Sequence, residues 1–335
     1  MTANASMEAI KSIVGRTQEK EKLNVLTFCT HERYEQNLCR TGHNFYSLKV
    51  GKIWNQNYGE IPENYHHVDD LPAGVELDLV LSHTSCERLQ LAGQVAQRFN
   101  VPLLRHTHIL PDIRMPVEPQ IGGFSQSTLD CDSFISEFNK NAWYPKGSKN
   151  KTQVIEHGVD YDFWQEGVEN VNRDDVCLSV VNLWPERDWC CGWELWKHTS
   201  QNLPVRVVGD SPGLSKPAES IEHLRKMYQS SSIFYNTSLH SPVPTVLLEA
   251  MAAGCAIVST NTCMIPEVIQ HGKNGLVSDD PSELRGFLES LLKDKDRARE
   301  LGNNAAQTIK ERYNLNRFIK SWDDHFKNTI KNYRR

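Results

Sequence analysis

Short apolar runs rich in β-branched residues alternate with longer amphipathic segments along the whole chain. In the first half the apolar runs lie at residues 23–28, 77–81 and 101–104, and residues 87–99 between the last two carry apolar positions at helical spacing. Two further short strands are predicted at 134–136 and 153–155. This alternation is typical of βαβ units, in which helices cover a parallel sheet. The pattern therefore predicts an α/β protein.

The second half repeats this rhythm after a polar stretch at residues 158–172. Strands are predicted at 176–181, 205–208, 232–235 and 256–259, and helices at 193–199, 218–228, 245–253, 266–271, 282–293 and 297–312. The change in composition predicts a first domain over 1–160 and a second over 170–314. A last amphipathic helix, 315–333, is expected to return to the first domain, because Phe318, Trp322 and Phe326 need a surface to cover.

Length and composition agree with two domains and exclude some classes of protein. A chain of 335 residues accommodates two cores, and no apolar run approaches the ~20 residues of a membrane-spanning helix. The polar first 22 residues lack the apolar region of a signal peptide, and the nine cysteines form no CxxC pair, so a cytoplasmic protein is expected. A net charge of −5 gives no general attraction to nucleic acid.

One glutamate stands out in an otherwise apolar helix. The run HSPVPTVLLEAMAAG occupies residues 240–254, with Pro244 suited to the first helical turn and Gly254 to its end. Glu249 lies between them among Val, Leu, Ala and Met, where a carboxylate costs free energy unless it is paired. We therefore expect Glu249 to face a cleft; the alternative is an ordinary exposed glutamate.

This run resembles the signature of the retaining glycosyltransferases of GT-B fold, known as group one or family four. Further motifs of that family follow the same order: TQVIEHGVD at 152–160, LSVVNLWPERD at 178–188, VVGD at 207–210 and IPEVIQHGKNGLV at 265–277. The resemblance implies two Rossmann-like domains facing across a cleft. It also implies a hexosyl- or pentosyltransferase that moves a sugar from a nucleoside diphosphate sugar, such as a UDP- or GDP-sugar, to an acceptor hydroxyl with retention of configuration.

The resemblance assigns roles to residues in the second half. Glu249 matches the glutamate that accepts hydrogen bonds from the donor ribose, and Arg187 matches the basic position that neutralises the diphosphate and so takes a catalytic role. Two positions depart from the family: Ser241 replaces a glutamate and Asn182 replaces an arginine. The other residues expected at the donor site are Pro244, Thr245, Val246, Gly209 and Asp210.

In the first half, His108 follows the apolar run at 101–104 and matches the family's histidine at the floor of the cleft, so it is the second catalytic candidate. Ligands of open α/β sheets bind at the carboxyl ends of parallel strands, where we expect it to lie. His106 shares its face of the strand and is either a ligand or a structural residue. The residues expected on the acceptor side are Thr30, His31, Arg33, His83 and His106.

No HExxH, CxxC or EF-hand pattern occurs, so a metal-independent reaction without a further cofactor is expected. The acceptor stays open between a glycan, a lipid-linked sugar, a small metabolite and a modified DNA base. Ser241 and Asn182 favour one alternative, a catalytically lapsed protein that binds a nucleotide or a partner. A second alternative is a GT-B enzyme of sugar-phosphate or epimerase type.

Overall fold

The computed structural model describes residues 21–56, 59–83 and 86–333, without the side chains of Cys86 and Glu87. Of the polar first 22 residues, positions 1–20 lie outside the described residues. The described chain forms two parallel sheets that are covered by helices. The prediction of an α/β protein with two Rossmann-like units is therefore confirmed.

The first sheet has seven strands in the order β3-β2-β1-β4-β5-β6-β7, and every pair is parallel. The order reverses between β1 and β4, so a crevice opens beyond their carboxyl ends. The strands are Asn24–Thr27 (β1), Asn44–Leu48 (β2), Tyr65–Val68 (β3), Leu79–His83 (β4), Leu103–Thr107 (β5), Cys131–Phe134 (β6) and Thr152–Val154 (β7).

The second sheet has five parallel strands in the order β12-β11-β10-β8-β9. Its order reverses between β8 and β10, so the segments that follow these two strands meet at one edge. The strands are Asp174–Val180 (β8), Val205–Val208 (β9), Ser231–Asn236 (β10), Ala256–Ser259 (β11) and Leu276–Val277 (β12).

The helices cover both faces of the two sheets, and those from residue 193 onward lie close to their predicted positions. Five of the observed helices were not predicted, namely those at 32–39, 117–126, 137–143, 161–165 and 188–191. The helices are Glu32–Cys39 (α1), Cys86–Phe99 (α2), Val117–Gln126 (α3), Glu137–Trp143 (α4), Tyr161–Gln165 (α5), Asp188–Cys191 (α6), Trp193–Ser200 (α7), Ile221–Gln229 (α8), Thr245–Ala252 (α9), Ile265–Val268 (α10), Pro281–Lys293 (α11), Lys295–Arg312 (α12) and Leu315–Asn332 (α13), with 3₁₀ turns at Val168–Asn170 and Pro185–Arg187.

The last helix, α13, packs on the first sheet. Phe318, Trp322 and Phe326 are fully buried in the same apolar cluster as Phe45 of β2. The indole N–H of Trp322 donates a hydrogen bond of 3.0 Å to the hydroxyl of Tyr34 on α1. The amphipathic stripe of α13 is thus buried against the first half of the chain. None of the helices in the described part of the chain combines the length and the hydropathy that a membrane crossing requires.

The two halves touch at several points around the cleft between their sheets. The Phe138 amide donates to Oε1 of Glu267 at 2.7 Å, and Nε2 of His240 lies 2.9 Å from the carbonyl oxygen of Pro111. At the crossing of the chain, the Val159 amide donates to the carbonyl of Tyr313 at 2.7 Å. These contacts hold the carboxyl edges of the two sheets against each other.

Candidate functional site

A tight turn after β8 carries Arg187 to the edge of the cleft. Leu183 has a φ of +51°, which is uncommon for a residue other than glycine, and its amide donates to the carbonyl of Asp210 at 2.7 Å. The next residue, Trp184, is fully buried and its indole N–H donates to the carbonyl of Cys191 at 2.9 Å. Because these contacts anchor the turn, the exposed Arg187 is presented from a rigid base.

The loop after β10 leads into α9, which begins beside Arg187. Pro244 precedes the first turn of α9 and provides no side-chain cap, and Gly254 follows the helix with a φ of +78°. The first turn of a helix presents backbone N–H groups and the positive end of the helix dipole. The start of α9 can therefore receive an anionic group.

These segments line a cavity of about 380 Å³ between the two halves, which we call the cleft cavity. The second half contributes the predicted donor residues that lie after β8 and β10, and the first half contributes an aromatic and imidazole wall. The lining residues include Asn182, Arg187, Cys190, Cys191, His240, Ser241, Pro244, Thr245 and Val246 from the second half and His31, Tyr34, His108 and His157 from the first.

Glu249 lines a second cavity, of about 190 Å³, which shares His31, Tyr34, His157 and Thr245 with the cleft cavity. Its side chain is 8% exposed. Oε1 forms an ion pair with Arg33, and Oε2 accepts a hydrogen bond of 3.2 Å from the hydroxyl of Tyr228. Burial raises the pKa of Glu249, and the charge of Arg33 opposes this effect. The alternative of an exposed glutamate is therefore wrong.

Thr30, His31 and Arg33 were expected together on the acceptor side, but the structure places them at different points. Arg33 reaches from α1 to Glu249, and its guanidinium carbon lies 5.7 Å from the ring centroid of Trp164. His31 caps α1 by accepting the Tyr34 amide and lines both cavities. Thr30 lines neither of them, and its hydroxyl donates to the carbonyl of Phe28 at 3.1 Å. The structure thus brings Arg33 to the candidate ribose site and leaves Thr30 outside.

Of the three predicted histidines, His108 directly after β5 reaches the cleft cavity, whereas His83 of β4 and His106 of β5 are buried beneath it. Nδ1 of His83 lies 2.9 Å from Nε2 of His108, and the hydroxyl of Tyr34 lies 2.8 Å from Nε2 of His106. Burial lowers the pKa of all three imidazoles, that of His83 to about 3. His83 and His106 thus support His108 and Tyr34 from below as neutral groups.

Gly209 and Asp210 shape the donor side without lining either cavity. A Cβ on Gly209, whose φ is +137°, would lie 2.0 Å from the carbonyl oxygen of Val181. The amide of Asp210 donates to Oδ1 of Asn182 at 2.8 Å. Asn182, at the position where the family has an arginine, therefore ties the end of β8 to the end of β9.

Several residues of the site were not predicted. His157 lines both cavities and lies inside the predicted motif TQVIEHGVD, which offered a signal for it. Tyr34, which lines both cavities, and Tyr228, which donates a hydrogen bond to Glu249, lie in helices whose sequence marks no ligand. Cys190 and Cys191, which the sequence did not mark as site residues, also line the cleft cavity. In the described part of the chain, no three His, Cys, Asp or Glu side chains are arranged to hold a metal ion.

Comparisons with known proteins bear on this geometry. Residues 195–308 match the family described as glycosyl transferases group 1. An uncharacterized glycosyltransferase of Methanocaldococcus jannaschii is 30% identical over 113 residues, which are 33% of this chain and 27% of that protein. The N-acetyl-alpha-D-glucosaminyl L-malate synthase of Bacillus anthracis is 30% identical over 164 residues, 48% of this chain and 40% of that enzyme. The matched segments thus span less than half the length of these relatives.

Among solved structures, Anabaena HepE in complex with UDP superposes with a TM-score of 0.70 at 15% identity, covering 90% of this chain and 98% of HepE. Its complex with UDP-glucose gives a TM-score of 0.68 at 15% identity, over 92% of this chain and 99% of HepE. At this level of identity the likeness concerns the fold, and it confirms the predicted GT-B arrangement.

Proposed function

Because this chain has the GT-B fold and its second half belongs to the group 1 glycosyltransferases, we propose that it transfers a sugar from a nucleoside diphosphate sugar to an acceptor hydroxyl with retention of configuration. In this proposal, residues 170–314 form the donor domain. Residues 1–160 together with 315–333 form the acceptor-side domain.

The observation that carries the proposal is the buried carboxylate of Glu249. It sits mid-way along α9 with its two oxygens turned to Arg33 and Tyr228. A carboxylate that is almost fully buried needs donors, and the vicinal hydroxyls of a ribose supply two of them in a fixed spacing. In the donor complex the diol takes the place of Arg33 on Oε1.

The diphosphate then lies at the start of α9, in the cleft cavity next to Arg187. The helix start and a permanent cation both favour the charge that develops on the leaving group. Arg187 lines the cleft cavity and brings a permanent positive charge to it. Ser241, in the same wall, offers the donor sugar a neutral hydroxyl where the family has a carboxylate.

In the transfer, the bond between the anomeric carbon and the leaving phosphate oxygen breaks, and a bond from the anomeric carbon to the acceptor oxygen forms on the same face. By the family resemblance, the leaving phosphate takes the acceptor's proton. The acceptor enters from the first half, where His31, His108 and His157 form a wall of neutral imidazoles. Neutral imidazoles both donate and accept hydrogen bonds, which suits hydroxyl groups.

HepE binds UDP and UDP-glucose, and this supports a uridine nucleotide as the first donor to try here. A panel of UDP- and GDP-linked hexoses and pentoses, screened by thermal stabilisation, identifies the donor. A ligand present at 100 times its dissociation constant adds about 2.7 kcal/mol to stability. Donor hydrolysis by the purified chain then separates an active transferase from a lapsed one.

The proposal is tested by replacing Glu249 and measuring UDP binding by calorimetry. Loss of hydrogen bonds to a charged acceptor costs about 1.5–3 kcal/mol, which is roughly a ten- to hundredfold loss of affinity for Glu249→Ala. Glu249→Gln keeps one acceptor oxygen and should lose less. The control is Glu289→Ala on α11. Glu289 forms a surface ion pair with Arg285, and this variant should bind UDP as the parent does. An unchanged affinity in Glu249→Ala contradicts the donor-site assignment.

A further inference from the structure

Two adjacent thiols lie in the wall of the cleft cavity and have no part in the proposed transfer. Cys190 and Cys191 are the last residues of α6, and their sulfur atoms are 3.6 Å apart. Cys190 Sγ also lies 3.4 Å from the carbonyl oxygen of Arg187. The pair is therefore in van der Waals contact within the cavity that receives the diphosphate.

The backbone of the same two residues joins the two segments that form the donor side. The carbonyl of Cys190 accepts the amides of Leu239 and His240 at 2.9 and 3.2 Å. The carbonyl of Cys191 accepts the indole N–H of Trp184 and the hydroxyl of Thr237, both at 2.9 Å. The backbone of the two cysteines is thus hydrogen-bonded both to the turn before Arg187 and to the loop before Ser241.

The environment of the pair makes one thiol reactive. The hydrogen bond from Cys191 and the charges of Arg187 and Arg114 lower the pKa of Cys190 to about 6, against the effect of burial. The same hydrogen bond and burial raise the pKa of Cys191, which keeps its proton. Burial raises the pKa of Cys29, Cys131 and Cys177 to about 12. Since the thiolate is the nucleophile, Cys190 is the reactive group among these thiols.

We propose that Cys190 and Cys191 form a modification site for low-molecular-weight disulfides and that its oxidation closes the cleft cavity to the donor. The Cys190 thiolate attacks one sulfur of the small disulfide, forms a mixed disulfide and expels a thiolate. Cys191 then gives its proton to that thiolate and, as a thiolate itself, attacks Cys190 Sγ. This attack breaks the mixed disulfide, releases the second small thiol as a thiolate and leaves a bond between the two cysteines.

The product is readily reversed by thiols. Consecutive Cα atoms lie about 3.8 Å apart, whereas disulfides usually span about 4.4–6.8 Å, so a bond between neighbours is strained and easily reduced. The site itself stands on the geometry of the thiols, and its effect on the donor rests on the proposed function.

The test uses the full chain and oxidised glutathione at pH 7, followed by intact mass and peptide mapping. We expect either one glutathionyl group or the loss of two hydrogens at residues 190–191, formed at least tenfold faster than any adduct on the half-buried Cys263. Cys191→Ser should accumulate the mixed disulfide, and Cys190→Ser should not react there. Preferential labelling of Cys263, or an equal rate in Cys190→Ser, overturns the site.

UDP binding by the same oxidised samples tests the consequence. We expect at least a tenfold loss of affinity that dithiothreitol restores, and Cys263→Ser should behave as the parent. Equal affinity before and after oxidation overturns the closure of the cavity. If the reduced parent fails to bind any nucleotide, the proposed donor function has failed, while the mapping still decides the modification site.

Discussion

Removing the indole of Trp322 should uncouple α13 from the first sheet. Trp322 is 0% exposed, and its ring centroid lies 5.0 Å from that of Phe326 and 4.8 Å from that of His106. Its N–H donates to the Tyr34 hydroxyl, which also contacts His106. One side chain therefore carries both apolar packing and the positioning of Tyr34 beneath the cleft.

The expected magnitudes follow from these contacts. Trp322→Ala removes the whole buried ring and leaves a cavity, which costs about 3–5 kcal/mol. Trp322→Phe keeps most of the apolar contact but loses the hydrogen bond, which costs about 1–2 kcal/mol with the change in shape. The exposed Lys320→Ala on the same helix removes one surface ion pair to Asp324 and should cost less than about 0.5 kcal/mol.

The measurement is urea unfolding of the three variants and the parent. The midpoints report stability where the dependence of the unfolding free energy on urea concentration is the same in all four proteins. The order Trp322→Ala, Trp322→Phe, Lys320→Ala in decreasing loss supports the coupling. A midpoint for Trp322→Ala within the error of Lys320→Ala would refute it, because a ring buried as described cannot be removed without cost.

Three further results are expected. Burial lowers the pKa of His83 and His157 to about 3, so these residues stay neutral in the folded state while the unfolded chain takes up protons below about pH 6.5. Their contribution to the free energy of unfolding is therefore fully present above pH 6.5 and falls by about 1.4 kcal/mol per histidine for each pH unit toward pH 3. A melting temperature that does not change between pH 7.5 and 5 would contradict this. Transfer should survive EDTA, because Arg187 and the start of α9 serve the diphosphate, and complete loss that Mg²⁺ or Mn²⁺ restores would reject this assignment. Gly192→Ala places a Cβ 2.2 Å from a carbonyl oxygen at a φ of +65°, whereas Gly213→Ala at +77° meets no atom within 4 Å. Thermal melting should show a loss of about 3 kcal/mol or more for the first and about 1–2 kcal/mol for the second, and equal losses would show that the clash is relieved.

Local pattern was sufficient for most elements of the second half. The strand at 256–259 and the start of the helix at Thr245 were predicted at their observed positions, because long apolar runs bounded by Pro244 and Gly254 leave few alternatives. In the first half, β2 and β3 were missed. Tyr65–Val68 at the sheet edge reads YHHV, and a half-exposed strand of this kind carries little periodic signal.

The sequence by itself singled out Glu249, since a lone carboxylate in an apolar helix is a local anomaly that requires a partner. It did not identify that partner: Arg33 lies in the other half of the chain, and the two meet because the carboxyl edges of two sheets face each other. Likewise, period two placed His106 and His108 on one face of β5, but only the packing of α13 and Tyr34 decided that His106 is buried and His108 reaches the cleft. Spacing along a strand or helix is a local property, whereas burial and pairing depend on which distant segments cover each face.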